Sequence, residues 1–310
     1  AARTRASLPS GGPVVAYRTL ADFRVATRLA TPGSKVLVIG GGFIGSELAA
    51  GLSRTGAEVH MVFPEAAIGA PRFPAPLADA ITSDYRARGV FVYPDNGVAS
   101  VDLTDDTATV VLNAGAELTV DLVAVGIGTA PNVGLAAAAG LVTDDGVVVD
   151  TSLHTQREAP DGERRPVDHV FAAGDVAMFP WPSPLKPGRI EHEDNAVMMG
   201  AHAGRQLAAA HRAAGRSGEP SALTPYTHLP FFYSDLFDNG YEAVGVLDSR
   251  LDMVQDWHDG LKAGVVYYLS GEKVVGVLLW NTWGLVDAAR ELVLADVRVE
   301  PERLQGRLKP

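Results

Sequence analysis

Apolar positions in the first hundred residues come in short unbroken runs rather than in alternation. Lys35–Ile39 (KVLVI) and residues 58–63 (EVHMVF) are two such runs. Runs of this kind, rich in β-branched residues and bounded by glycine, predict strands buried on both faces, as in a parallel sheet. Residues 46–55 have helical spacing and end at Gly56, in the position where a helix commonly stops. Residues 75–88 predict an amphipathic helix and residues 89–93 a third strand. The order β-α-β-α-β is the unit of an open parallel sheet.

Beyond this unit the pattern changes. Residues 98–103, 108–112 and 117–125 predict an antiparallel meander, with Asp/Thr and Asn-Ala-Gly turns between its strands. Residues 146–150 and 169–173 predict two further strands, and the polar stretch 157–168 between them reads as a solvated loop. A long helix rich in small residues is predicted over 190–216, running into a linker at 215–220. Strands come next at 243–248, 264–269 and 274–280, then a last helix at 285–294.

A length of 310 residues predicts two or three domains. The 26 Lys+Arg against 37 Asp+Glu leave a net charge of −11, with no basic run. That disfavours nucleic-acid binding, which needs cations to displace phosphate counterions. Cysteine is absent, which excludes disulfides, thiolate metal sites, cysteine nucleophiles and Cys-x-x-Cys redox pairs within these residues. The uncharged stretch 122–143 is interrupted by Gly126, Gly128, Pro131, Asn132 and Gly134, so it reads as strand, loop and short helix rather than a membrane span. Residues 1–20 hold Arg3, Arg5 and Arg18 and no acid, but Pro9, Gly11, Gly12 and Pro13 break any amphipathic helix. They read as a surface linker rather than a transit peptide.

The chemistry begins at Gly40-x-Gly42-x-x-Gly45, which comes directly after a predicted strand and opens a helix, with Glu65 twenty residues beyond. That context is the dinucleotide fingerprint. Gly40 permits the tight turn, Gly42 lets a pyrophosphate approach the backbone, and Gly45 lets helix and strand pack closely. The helix N-terminus supplies amide donors and a positive dipole end. Glu65 would accept hydrogen bonds from ribose hydroxyls, and no arginine adjoins it to welcome a 2′-phosphate, so NAD(H) is expected rather than NADP(H).

With these motifs in place the chain resembles the FAD/NAD(H)-dependent pyridine nucleotide-disulfide oxidoreductases, in their apoptosis-inducing-factor and ferredoxin-reductase-like branch. The resemblance runs over essentially the whole chain through 40–47 (GGGFIGSE), 62–65 (VFPE), 126–132 (GIGTAPN), 171–175 (FAAGD), 191–196 (EHEDNA), 232–236 (FYSDL) with 240–242 (GYE), and 277–281 (VLLWN). It implies a two-dinucleotide-binding, glutathione-reductase-like α/β fold. Residues 1–132 would be an NAD(H)-binding Rossmann domain, with 1–30 a linker. Residues 133–224 would be part of an FAD-binding domain, and 225–310 a C-terminal α+β interface domain.

The resemblance also implies roles. Gly40, Gly42, Phe43, Ile44, Gly45, Glu65, Gly126, Gly128, Glu191 and Glu242 would bind NAD(H). Arg18, Gly174, Asp175, His192, Glu193 and Tyr233 would lie at FAD. Phe43, Glu47 and His192 would stand at the reacting rings. Glu193 stands where the family has a second histidine. Plainer readings stay open for four residues: Asp175 as a helix cap, Glu47 as an exposed first-turn acid, Tyr233 as a core aromatic, and Arg18 as a surface charge. No metal is expected from one histidine among carboxylates.

The family carries an N-terminal FAD segment with its own glycine fingerprint, and residues 5–9 resemble the stretch just beyond the end of that segment. The expectation is a fragment without the first FAD half, in which Glu47 lacks the lysine that partners it in the family. With no redox cysteine, electrons would leave the flavin directly for an external acceptor: ferredoxin, rubredoxin, a quinone or a small oxidant. The alternative is an NADH-sensing flavoprotein whose charge-transfer complex controls dimerisation, although only about sixteen residues separate Asp248 from Gly264, where the mitochondrial proteins carry a long regulatory insertion. A homodimer stays open, as does the compartment: cytoplasm for a bacterial source, mitochondrion for a eukaryotic one.

Overall fold

The computed structural model describes residues 3–4, 8, 11–181, 186–214 and 224–309. The predicted linker 215–220 and most of residues 5–9 lie outside them.

Five parallel strands form the central sheet, in the order Val14–Ala16, Leu122–Val125, Lys35–Ile39, Glu58–Val62 and Phe91–Tyr93. Both of its faces are covered, which is why its strands read as unbroken apolar runs. Val36, Val38, Met61 and Ala124 face the helices Leu20–Leu29, Phe43–Ser53 and Ala75–Ala87. Leu37, Ile39, Val62 and Val123 face a three-stranded antiparallel sheet, Val98–Leu103, Ala108–Leu112 and Glu117–Val120.

Residues 117–125, expected as one strand, are two. Glu117–Val120 ends the antiparallel sheet and Leu122–Val125 enters the parallel one. Asp121 makes the joint: its amide donates to the Lys35 carbonyl at 2.8 Å, and its carboxylate accepts from the Lys35 amide at 2.7 Å.

Residues 1–30 were expected as a linker, yet Val14–Ala16 is an edge strand and Leu20–Leu29 a helix. The helix opens on a capping box between Thr19 and Asp22 and packs Val25, Ala26 and Leu29 on the core, while Leu20 and Phe23 are exposed. The polar stretch 157–168, expected as a loop, is most of a hairpin, His154–Glu158 paired with Arg164–Phe171. Its pairing rests on backbone hydrogen bonds around a turn at Gly162 (φ +82°), which leaves the far strand largely exposed. The long helix spans Glu193–Ala214.

The C-terminal part is a five-stranded antiparallel sheet in the order Phe231–Leu236, Asn239–Gly245, Lys273–Trp280, Ala263–Ser270 and Asp252–His258. One face (Tyr241, Ala243, Tyr268, Leu278, Trp280) shares a continuous core with the parallel-sheet layer. The other face (Val244, Val265, Tyr267, Val277) is closed by the helix Val286–Leu294 and by Leu304. The span between Asp248 and Gly264 is taken up by Asp252–His258, which pairs from Asp252↔Leu269 to His258↔Ala263.

Candidate dinucleotide and flavin site

The helix after the first central strand begins at Phe43, three residues earlier than its apolar spacing suggests, because the glycine loop runs straight into it. Gly40 has φ +123°, and a Cβ there would stand 2.5 Å from the Gly126 carbonyl oxygen. A Cβ on Gly45 would stand 2.0 Å from the Gly40 carbonyl oxygen. Both glycines are therefore demanded by the fold itself. Gly126 packs into the same knot, where a Cβ would meet Ile44 Cγ2 at 3.1 Å.

Gly42 is different. It is the N-cap, has an ordinary φ of −88°, and faces no atom within 4 Å of where its Cβ would be. No side chain caps this helix, so its first-turn amides have no side-chain acceptor. Gly128 (φ +95°) is likewise open.

Five side-chain polar atoms are buried without a hydrogen-bond partner among the described residues, and three belong to residues singled out by sequence: Glu65 Oε2, His192 Nδ1 and Glu242 Oε2. An orphaned buried polar atom costs about 1–3 kcal/mol and calls for a partner such as a water, an ion or a ligand. His192 Nε2 accepts from the Tyr233 amide at 3.3 Å, which puts the neutral ring's proton on Nδ1, a donor awaiting an acceptor. Burial holds the Glu242 carboxyl above its ordinary range, opposed by the Gly284 amide.

The remaining predicted residues form a wall beside this loop. Tyr233 is exposed rather than a core aromatic; its hydroxyl donates to Glu193 Oε2 at 3.0 Å, and that bond raises its pKa. The Tyr233 ring meets His192 edge-on at 5.0 Å. On the neighbouring strand Glu242 is the register partner of Tyr233. Glu191 accepts from Thr129 of the 126–132 loop at 3.0 Å and from Arg189 Nη1 at 2.5 Å. Asp175 comes after Gly174 (φ +74°), and its carboxylate lies 3.8 Å from Arg18 Nη2.

Glu47, expected to lack the family's lysine, accepts from Ser234 Oγ at 2.5 Å across 187 residues of sequence. Phe43 packs into an aromatic cluster with Phe232 and Tyr241, and the Arg72 guanidinium lies 4.5 Å above its ring. Sequence reasoning passed over Arg72, Arg189, Thr129 and Ser234. Arg189 had one local signal, standing two residues before Glu191; the pairing of Ser234 with Glu47 had none.

The residues fit both groups that the sequence implies. The open cradle at Gly42 and the orphaned Glu65 suit a dinucleotide, and the orphaned His192 with the Asp175 turn suits a flavin. Among the described residues no cluster of His, Asp and Glu could hold a metal ion, and no helix is long and apolar enough to cross a membrane.

The chain is 31% identical over 306 residues to apoptosis-inducing factor 1, mitochondrial, of Dictyostelium discoideum, covering 92% of this chain and 53% of that protein. It is 30% identical over 301 residues to the ferredoxin–NAD(+) reductase component of the anthranilate 1,2-dioxygenase system of Burkholderia cepacia, covering 95% and 69%. The chain thus spans about half the length of the apoptosis-inducing factors it matches. Its fold superimposes on the covalent putidaredoxin reductase–putidaredoxin complex with a TM-score of 0.80 at 27% identity, over 98% of this chain and 70% of that one. Residues 255–295 match the family model for the mitochondrion-associated C-terminal part of apoptosis-inducing factor. Residues 4–200 match the model for pyridine nucleotide-disulphide oxidoreductases, and the chain belongs to that family.

Proposed function

We propose that this chain serves an FAD-dependent NADH oxidoreductase that passes electrons to an external small carrier without a redox cysteine. The observation that carries the reading is the coincidence of orphaned polar atoms on Glu65, His192 and Glu242 with an uncapped glycine-loop helix. In this reading residues 1–132 bind NAD(H), 133–224 contribute to FAD binding, and 225–310 cover the reacting rings. The amides of the N-cap Gly42 and of Phe43 hold the pyrophosphate, and Glu65 takes the ribose hydroxyls. Gly126, Gly128, Glu191 and Glu242 line the nicotinamide side. Gly174, Asp175, Arg18, His192, Glu193 and Tyr233 face the flavin, with Phe43 and Glu47 between the two sides.

When bound, the flavin supplies the exchange between two-electron and one-electron chemistry. The chain's own part is orientation and exclusion of water. His192 holds its proton at Nδ1, and Ser234 fixes the Glu47 carboxylate. The similarity to ferredoxin reductases supports a small iron–sulfur carrier as acceptor.

A second reading, an NADH sensor whose charge-transfer complex governs dimerisation, is favoured by the C-terminal match at 255–295. One experiment separates them. Protein equilibrated with FAD and freed of excess is mixed anaerobically with NADH, and the visible flavin band is monitored. Prompt bleaching, reversed by ferricyanide or a ferredoxin, is expected. A long-lived charge-transfer band with dimer formation would favour the sensor, and NADH binding to flavin-loaded protein with neither outcome would overturn both.

A further inference from the structure

Arg189 stands at the junction of the two sides of the site, and neither the glycine fingerprint nor the flavin motif calls for it. Its side chain is 6% exposed. Nη1 donates to the Asp175 carbonyl at 2.8 Å and to Glu191 Oε1 at 2.5 Å, and Nη2 reaches both Asp145 carboxylate oxygens at 3.4 Å. Room for it is built in: at Gly146 (φ +140°) a Cβ would come within 2.6 Å of Arg189 Cδ. One guanidinium therefore braces the Gly174–Val176 turn against Glu191, which is itself tied by Thr129 to the 126–132 loop. A planar fork with fixed donor directions suits that task better than a point charge.

Glu191 differs from Arg189 in exposure. Its side chain is 38% exposed, so part of the carboxylate stays open while Arg189 and Thr129 hold Oε1. A bare carboxylate at a nicotinamide ring favours the oxidised, positively charged ring over the neutral reduced one. A carboxylate compensated by a buried arginine discriminates less.

We propose that Arg189 is a positioning residue that braces Glu191 against the Asp175 turn and balances its charge, so that the site does not hold NAD+ at the expense of NADH. This rests on the reading of Glu191 as part of the nicotinamide wall.

The test titrates NADH and NAD+ separately into the chain by calorimetry, without flavin, so that no reaction intervenes. Arg189→Gln is expected to lower the ratio of the NAD+ dissociation constant to that of NADH by on the order of fivefold. Glu191→Gln leaves the guanidinium unbalanced and should raise the ratio by a similar factor, whereas the double variant, with neither charge, should return it to near the wild-type value. A purely structural role for Arg189 would weaken both nucleotides equally and leave the ratio fixed, which overturns the proposal. If Arg189→Gln does not fold, Arg189→Lys keeps the charge and should keep the ratio within about twofold of wild type. An unchanged ratio in Glu191→Gln overturns the proposal by itself. Failure of the wild-type chain to bind either nucleotide would instead remove the functional reading beneath it.

Discussion

The glycine loop and the wall beside it build the proposed site by contrasting means. At residues 40–45 the backbone does the work, and side chains are excluded because they would collide or fill the space a ligand needs. At residues 189–193, 233–234 and 242 side chains do the work, and partners come from segments far apart in sequence. The first kind of site is written locally in the sequence. The second exists only once the chain has folded, so it is set by packing and charge balance.

The loop can be broken in two distinguishable ways. Gly45→Ala places a methyl against the Gly40 carbonyl and should cost about 3 kcal/mol of stability, seen as a lowered midpoint in urea. Gly42→Ala meets nothing in the fold and should leave the midpoint unchanged, yet weaken NADH by about tenfold or more, because its methyl occupies the phosphate's approach. If the two variants behaved alike, the division between fold glycine and ligand glycine would be wrong. Glu65→Gln should weaken NADH by about tenfold with stability intact, since one strong acceptor for the ribose is lost.

On the wall, effects are smaller and fall on stability as well. Ser234→Ala removes the hydroxyl that joins the C-terminal sheet to Glu47 and should cost about 1 kcal/mol in denaturant unfolding. Glu242→Gln sharpens the contrast through pH. Because burial raises the Glu242 pKa in the fold, the folded state binds the proton more tightly, and stability is lost as pH rises above the ordinary glutamate range. The variant should therefore melt roughly 2 °C above wild type at neutral pH, with the difference vanishing below about pH 4. A variant that melts lower at neutral pH would show that the carboxylate is satisfied in the protein.

The same contrast explains which elements were legible in the sequence. Lys35–Ile39, Glu58–Val62, Ala263–Ser270 and Lys273–Trp280 were, because burial on both faces leaves unbroken apolar runs. Leu20–Leu29 was not, since its exposed Leu20 and Phe23 obscure the stripe of Val25, Ala26 and Leu29 that packs on the core. Only the end of Arg164–Phe171 was, through the strand predicted at 169–173, and Asp252–His258 was not, because neither strand is fully buried and no hydrophobic alternation marks them. Of the proposed site, Gly40, Gly42, Gly45 and Glu65 stand out by spacing alone. The Glu47–Ser234 and Glu191–Arg189 bonds were not, because nothing local tells which charges a fold will bring together.

The most direct measurement compares NADH with NADPH in calorimetric titrations of the wild-type chain. Glu65 presents an unpaired carboxylate oxygen where the adenosine ribose would lie, so a 2′-phosphate there meets a like charge. NADH is predicted to bind at least about tenfold more tightly than NADPH, with Glu65→Gln narrowing the gap. Equal affinity for the two, or tighter binding of NADPH, would contradict the assignment of this loop and this carboxylate as an NAD(H) site.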